Sequence, residues 1–457
     1  MGLLDAIANA SRYLPSVKKP KRKQSLYRRL LVTGLVLVLY FVMANIPLYG
    51  VKVTGGSVGL MQIIFASNIG TLMELGIGPI VTASLVLQVL AGAKIIDLDL
   101  SDPESRKKFT AAQKTLAIVF AVFEASAYVL SCRYWGPVTG NPITACPVSI
   151  GVRVIDILLL TTATFMVVLF DEMLQKGWGV GSAISLFILG GVAYHMFWAL
   201  FGLSPGGQQH YGFIPYLIQG GRQAILREHG YPDLIGLIAT IAAILLLIYL
   251  QGMRVEIPIA SQKLRGIRSR VPLQFIYVTN IPILLVGILV ADLQIFANAF
   301  SNFMGDNVFT RFLMASYEYA RPPRGLLDAL SDPTRTAVYV AIWLILAVLF
   351  GYMWVEIAGL NPQAQAKNLI SSGLDVPGMR RNPKALEKRL ARYIYPLTLL
   401  SSIIVALIAV TADIFGAYGS GTGILLAVGI IIQYYRLIAY ERALEAYPLL
   451  KRILGEE

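Results

Sequence analysis

The sequence predicts an all-α polytopic membrane protein of ten transmembrane helices, built as two inverted five-helix halves with one re-entrant segment. Three observations carry the prediction. First, of 457 residues 56% are hydrophobic and 14% charged, whereas ordinary soluble domains carry about 25% charged residues. There are too few charges to cover the surfaces of soluble domains, so soluble, disordered and fibrous classes are excluded. Second, apolar runs of about 20 residues, the length that crosses a hydrocarbon core of ~30 Å, recur ten times. Third, with ten spans and both termini on one side, 30 of the 39 Lys and Arg residues fall on the terminal side and 9 on the other. That bias places both termini in the cytoplasm, and shifting the register by one span destroys it.

The spans lie near residues 30–49, 76–93, 109–131, 152–174, 180–201, 234–250, 275–299, 337–357, 394–415 and 424–438. No small-residue cleavage site follows the basic N-terminal stretch, residues 1–29, so the first span is expected to be retained. Ala6 stands where an N-myristoylation signal needs Ser or Thr. Residues 55–68 (GGSVGLMQIIFASN) are apolar but too brief to cross. They read as a re-entrant helix, and such a piece survives at membrane depth only beside protein or a water-filled cavity. Spans one to five fill residues 30–201 and spans six to ten residues 234–438, with an external connection at 202–233 and a cytoplasmic tail at 439–457. Five spans per half force the second half to run inverted, and inverted pairs place their functional path at the interface between halves.

Two terminal-side loops, residues 254–275 and 359–392, pack cations beside Pro and Gly. They suit either anionic lipid, at about 1 kcal/mol per cation, or a large anionic partner such as ribosomal RNA. Their length favours docking.

Little in the chain points to covalent chemistry. No Gly-Lys dipeptide occurs, so a Walker phosphate loop is excluded, as is a His-Glu-x-x-His zinc motif. Gly55-Gly56-Ser57-Val58-Gly59 has the spacing of a nucleophile elbow but no preceding strand, and none of His195, His210 and His229 is placed to serve Ser57. The GWGVG run at 177–181 reads as a tight turn with close helix packing. Two cysteines and three histidines are too few for a usual metal site, and no cofactor is implied. Cys132 and Cys146 flank an external loop, where a disulfide and two free thiols are both admissible.

Charges at membrane depth are costly and usually functional, so Glu124, Asp156, Asp292, Glu356 and Asp413 are candidates. Asp156 and Asp413 sit near span ends. Glu124 is mid-span and needs a polar partner; Thr82 in span two and Asn280 in span seven are at plausible depth. A proton relay is the rival reading, weakened because the five acids are scattered over five spans without intramembrane His, Lys or Arg partners.

At this point the residues resemble a known family. The run LGIGPIVTA at 75–83, RVEIP at 254–258, YVTNIP at 277–282, VPGMRR at 376–381 and GTG at 421–423 resemble SecY-type protein-conducting channels of the archaeal and eukaryotic branch, in family order along the whole chain. The resemblance implies a clamshell around an hourglass pore. It puts a ring of apolar side chains on Ile77, Val81, Ile184, Ile188, Leu284 and Leu426. It puts a plug at residues 55–70, with Gly56, Leu60, Ile63, Ile64 and Phe65. It implies a lateral gate between spans two and three and spans seven and eight, with Thr82, Glu124 and Asn280 as its polar cluster. Partner docking maps to Lys263, Arg265, Arg268, Arg270, Arg380 and Arg381. The implied partners are SecE-like (gamma) and Secβ-like (beta) small membrane subunits, the translating ribosome, signal sequences, nascent polypeptides and membrane lipid. The implied location is the plasma membrane and the implied activity is translocation without catalysis. The competing reading is an inverted-repeat secondary transporter, which needs interrupted helices at matching points of both halves; only the first half has one. An intramembrane hydrolase is disfavoured by the missing His.

Overall fold

Hydrocarbon offers the backbone no hydrogen-bond partner, so a chain this apolar satisfies its amides within helices. The computed structural model describes residues 3–22, 24–51, 67–92, 95–96, 103–132, 134–135, 146–203, 212–220, 224–227, 231–261, 268–278, 280–305, 307–371, 374–375 and 383–446. A short helix α1 (Leu3–Ala10) precedes the first half, α2 (Leu26–Met43), α3 (Gly78–Gly92), α4 (Pro103–Leu130), α5 (Ile150–Met173) and α6 (Ala183–Phe201). A connecting helix α7 (Phe213–Gly220) leads to the second half. That half runs α8 (Leu234–Gly252), β1 (Arg254–Ser261), β2 (Arg268–Gln274), α9 (Ile281–Met304), α10 (Val308–Ala320), α11 (Leu326–Ser331), α12 (Pro333–Ile357), α13 (Pro362–Ser371), β3 (Leu374–Asp375), α14 (Pro383–Ile414) and α15 (Gly421–Ala446).

Among the described residues nine helices are long and apolar enough to cross a membrane, and α3, with 15 residues, is a shorter apolar helix in the place of span two. The chain before α3 stays non-helical from residue 67 to 77 yet is largely buried. There the Gly70 N–H donates to the Glu74 carboxylate, which is how irregular backbone persists inside protein at depth.

Local chemistry sets the ends. Asp233 accepts from the Gly236 N–H at 2.7 Å and starts α8; Asp332 accepts from the Arg335 N–H at 3.0 Å and starts α12 with Pro333 at its first turn. Both satisfy amides that have no partner within the helix. Pro282 sits in the first turn of α9, so that helix begins at Ile281 and not at the expected residue 275. The GWGVG run is a turn: Gly177 at φ +100 and Gly181 at φ +74 hold the left-handed backbone that glycine adopts without cost.

The halves meet along two seams. In one, α3 packs on α9 and α12, and α4 on α9. In the other, α6 packs on α15, where the Tyr434 hydroxyl donates to the Ser182 carbonyl at 2.8 Å. The core joining both seams is aliphatic, with Tyr40 of α2 stacked on Phe187 of α6 at 4.3 Å. Helices approach closely at Gly421, where a Cβ would collide with the Ala409 backbone; small residues at such crossings are the usual device in membranes. Outward faces are greasy: Leu35 and Val38 on α2, Leu158 on α5, Leu245 on α8 and Ile345 on α12 are all exposed, as lipid contact requires.

The terminal side carries two additions. The N-terminal stretch is strapped across the first half: the Lys114 ammonium donates to the Pro15 carbonyl and to Glu172, the Lys176 ammonium to the Val17 carbonyl and to Glu172, and the Trp178 indole to the Lys18 carbonyl. Arg29 reaches the Gly179 carbonyl and Glu441 of α15. In the second half, where an extended loop was expected over residues 254–275, β1 and β2 pair antiparallel, and β3 adds to them in the order β2-β1-β3. The strands escaped the all-helical expectation because Pro258 and Pro272 interrupt their β-branched pattern; here the two prolines face each other's strands in a three-stranded sheet with Glu256 opposite Pro272. On the opposite side, Cys132 and Cys146 form a disulfide across a Cα–Cα distance of 6.0 Å, which settles the cysteine alternatives.

The disulfide closes 14 residues of chain, for which loop-closure entropy gives about 3 kcal/mol. Cys132→Ser is therefore expected to lower the midpoint of thermal unfolding in detergent, and reductant is expected to reproduce the shift in the parent but not in the variant.

Candidate functional site: an aliphatic constriction and a polar seam

The six aliphatic positions singled out in the sequence come from four separate places in the chain and meet in one core. Ile77 and Val81 enter from the start of α3, one turn apart. Ile184 and Ile188 enter from α6 with the same spacing, a helical i,i+4 step that puts both on one face. Leu284 comes from the first turn of α9 and Leu426 from the second turn of α15. Ile77, Val81, Ile188 and Leu426 are buried, and Ile184 and Leu284 are partly buried against the same cluster. All six belong to the core that joins the α3/α9 and α6/α15 seams.

Beside it, one hydrogen-bonded contact bridges the α3/α9 seam. The Thr82 hydroxyl, adjacent to Val81, donates to the Asp292 carboxylate, 3.0 Å from one oxygen and 3.1 Å from the other. Both residues are buried. Glu124 of α4 is buried as well and interacts electrostatically with Asp292, and its Oε2 has no hydrogen-bond partner among the described residues.

This corrects one expectation. The α9 member of the polar cluster is Asp292, not Asn280. Asn280 lies twelve residues earlier, a helical rise of about 18 Å. Its amide donates to the Leu425 carbonyl at 2.6 Å and sits against Gly429, where any Cβ would strike it. Asn280 thus pins the foot of α9 to α15. The sequence held a signal for Asp292: stepping by four from Leu284 through Ile288 reaches Asp292 on the same helix face.

The other intramembrane acids have local partners. Asp156 accepts from the Tyr49 N–H at 3.1 Å. Asp413 accepts from the Tyr339 hydroxyl at 2.9 Å and the Gly421 N–H at 2.7 Å, tying α12, α14 and the start of α15. Glu356 accepts from the Asn361 amide at 2.9 Å. Gly56, Leu60, Ile63, Ile64, Phe65 and Ser57 lie outside the described residues, as do Lys263, Arg265, Arg380 and Arg381. Arg268 and Arg270 stand on β2, opposite Ala260 and Pro258.

Among the described residues, nine membrane-length helices and the shorter α3 form two packed halves that share one aliphatic core, with a hydrogen-bonded polar contact across one seam, and this defines a multi-pass membrane protein. The SecY family profile matches residues 71–435, and that of the plug domain of Sec61p matches residues 38–70. Protein translocase subunit SecY of Aeropyrum pernix is 57% identical over 100% of both chains. A solved protein-conducting channel superposes with a TM-score of 0.77 at 34% identity, spanning 97% of this chain and 98% of that one. Sec61 in a canine ribosome-channel complex from the endoplasmic reticulum gives 0.75 at 32%, over 97% and 98%. The chain belongs to the SecY/Sec61 α family and is the pore-forming subunit of a protein-conducting channel with a plug domain.

Thr82→Val keeps the shape of the seam and removes its donor. A buried polar group left without a partner costs about 1–3 kcal/mol, so the variant is expected to unfold at lower temperature than the parent. Asn280→Ala, at a separate contact, is expected to lower the unfolding midpoint independently, so that the double variant shows the sum of the two effects.

Proposed function

We propose that Ile77, Val81, Ile184, Ile188, Leu284 and Leu426 form the constriction through which an unfolded polypeptide passes, and that Thr82, Glu124 and Asp292 hold the exit into lipid closed. The observation that supports this reading is that both halves contribute to one aliphatic core, with Ile77, Val81, Ile188 and Leu426 buried in it and Ile184 and Leu284 partly buried against it. Aliphatic groups offer no ligands to replace ion hydration, and a narrow apolar constriction dewets. They also form no directional bonds, so any sequence can slide past. The plug, residues 55–70, adds a second seal held by apolar contact at roughly 25 cal/mol per Å². A signal sequence that parts the α3/α9 seam meets lipid. Apolar segments gain by leaving there, while charged residues lose about 2.5–3.5 kcal/mol each near a helix centre. No covalent step is needed; a partner supplies the push.

The charge bias supports a plasma-membrane protein with cytoplasmic termini, and the Cys132–Cys146 disulfide on the other side agrees with a non-reducing exterior. On this reading the basic loops, with Lys263, Arg265, Arg268, Arg270, Arg380 and Arg381, receive the ribosome; the likeness to Sec61 in a ribosome-channel complex supports it. SecE-like and Secβ-like subunits complete the assembly. Residues 30–201 and 234–438 act as the two halves of the clamshell, with 1–29 as a basic cytoplasmic N-terminus and 439–457 as a cytoplasmic tail.

Two measurements test the reading. Replacing Ile77, Val81 and Ile188 together by Gly is expected to raise the ion conductance of the reconstituted channel; unchanged conductance removes the ring. A photo-crosslinker at Ile188 or Leu284 is expected to capture a stalled secretory chain, and one at lipid-facing Leu245 is not.

A further inference from the structure

The ends of α4 and α5 remote from the strap form a fork with a cross-bar. α4 ends at Leu130 and α5 begins at Ile150, and the Cys132–Cys146 disulfide joins the chain just beyond the one to the chain just before the other. Residues 48–51 lie in the fork and are gripped from both prongs. From the α4 side, the Trp135 indole donates to the Gly50 carbonyl at 3.2 Å, and the Trp135 N–H is itself held in a turn on the Cys132 carbonyl at 3.2 Å. From the α5 side, Asp156 accepts from the Tyr49 N–H at 3.1 Å, and Val152 stands beside Gly50. The gripped segment is one side of a neck. The Leu48 N–H donates to the Gly70 carbonyl at 2.9 Å and the Leu72 N–H to the Ile46 carbonyl at 3.0 Å, with Pro47 paired antiparallel to Thr71 between them. The Asn68 amide donates to the Ala44 carbonyl at 2.9 Å. Leu48, Val51, Met73, Leu75 and Ile77 are buried in the main core, and Trp135 packs against it.

The neck fixes where α3 starts. Between Thr71 and Ile77 the chain is held by the Glu74 N–H, which donates to the Thr71 carbonyl at 3.0 Å, and by the Gly70 N–H, which donates to the Glu74 carboxylate. Buried backbone amides have to be paired, so moving residues 48–51 strips Leu48 and Tyr49 of their acceptors and loosens the run that leads to Ile77. We infer that the Cys132–Cys146 bond is a redox-sensitive brace, and that Trp135 is the positioning residue through which it holds this neck and keeps the closed constriction at Ile77 tight. The inference rests on the channel reading above. Cys146 is half-buried, so a dithiol reaches the bond. Its two thiols supply two electrons and two protons: the Sγ–Sγ bond breaks, Cys132 and Cys146 become thiols, and the dithiol closes to its cyclic disulfide. With the cross-bar cut, the prongs part and the grip on Gly50 slackens. An apolar constriction stays dry only while it is narrow, so a slack neck lets ions through.

The test uses the full-length chain in its reconstituted complex, with dithiothreitol as the dithiol. Cys132 and Cys146 are the chain's two cysteines, so the reagent has one target in it. Hydrogen exchange over residues 46–51 reports the neck, because local opening sets the rate at such amides. Planar-bilayer recording without substrate reports the closed-state current. In the parent, reductant is expected to speed exchange about fivefold, within the range for loss of one hydrogen bond, and to raise the current. Cys132→Ser is expected to match the reduced parent. Trp135→Phe keeps a ring and removes the donor. Both changes are expected in it before reductant, which then adds to neither, although it still lowers the unfolding midpoint. Exchange in the parent that ignores reductant overturns the brace. So does a Trp135→Phe variant that responds to reductant as the parent does. If Ile77→Gly, Val81→Gly and Ile188→Gly together raise the current and reductant does not, the brace falls and the channel reading stands. Current unmoved by either removes the constriction and the brace together.

Discussion

A channel for polymers has to keep two halves separable inside a medium that penalises every unpaired polar group, and the contact between Thr82 and Asp292 answers both demands. One hydroxyl spanning two carboxylate oxygens satisfies the acid when the seam is shut. It is the only tie of its kind described between α3 and α9, so it yields as a unit. Glu124, buried beside it, adds a second acid that interacts electrostatically with Asp292. A wholly apolar seam would exchange freely with lipid tails, which are as apolar as Leu; a network of many bonds would not part for a passing helix.

The two seams differ in consequence. The α6/α15 seam is backed by the stacked Tyr40–Phe187 pair, the Tyr434 bond and the Arg29–Glu441 ion pair. It has the character of a hinge. The α3/α9 seam, with its short helix and buried irregular approach, has the character of a mouth. The aliphatic core joins them, and on the proposed reading a small rotation about the first seam opens the second.

Much of this was legible in the sequence, for reasons that differ by element. Residues 234–252 read as a span because length and hydropathy alone decide insertion. The turn at 177–181 read correctly because its glycines have little other use. The ring positions could not be read from composition, since an aliphatic side chain in a membrane helix is ordinarily packing; only their place in longer motifs marked them. Asp292 was visible as a buried acid, yet its partner was not, because pairing across helices depends on axial depth. Asn280 looked suitable by type and failed by about 18 Å of helical rise. The strands and the small core around Tyr277 were hidden for a related cause. Their apolar residues are spread over residues 255–397, and only the fold brings them together.

Nearest the start, the strap across the first half is held through side chains, Asp5 pairing with Lys108 and Ile7 packing on Phe109 and Ala112, but over residues 15–18 it is gripped by main chain. Lys114, Lys176 and Trp178 all reach for carbonyl oxygens of residues 15, 17 and 18, a group every amino acid supplies. Spelling in that stretch is therefore free to drift over generations, whereas its count of residues is not: one inserted or deleted position would slide every carbonyl out of reach of its cation.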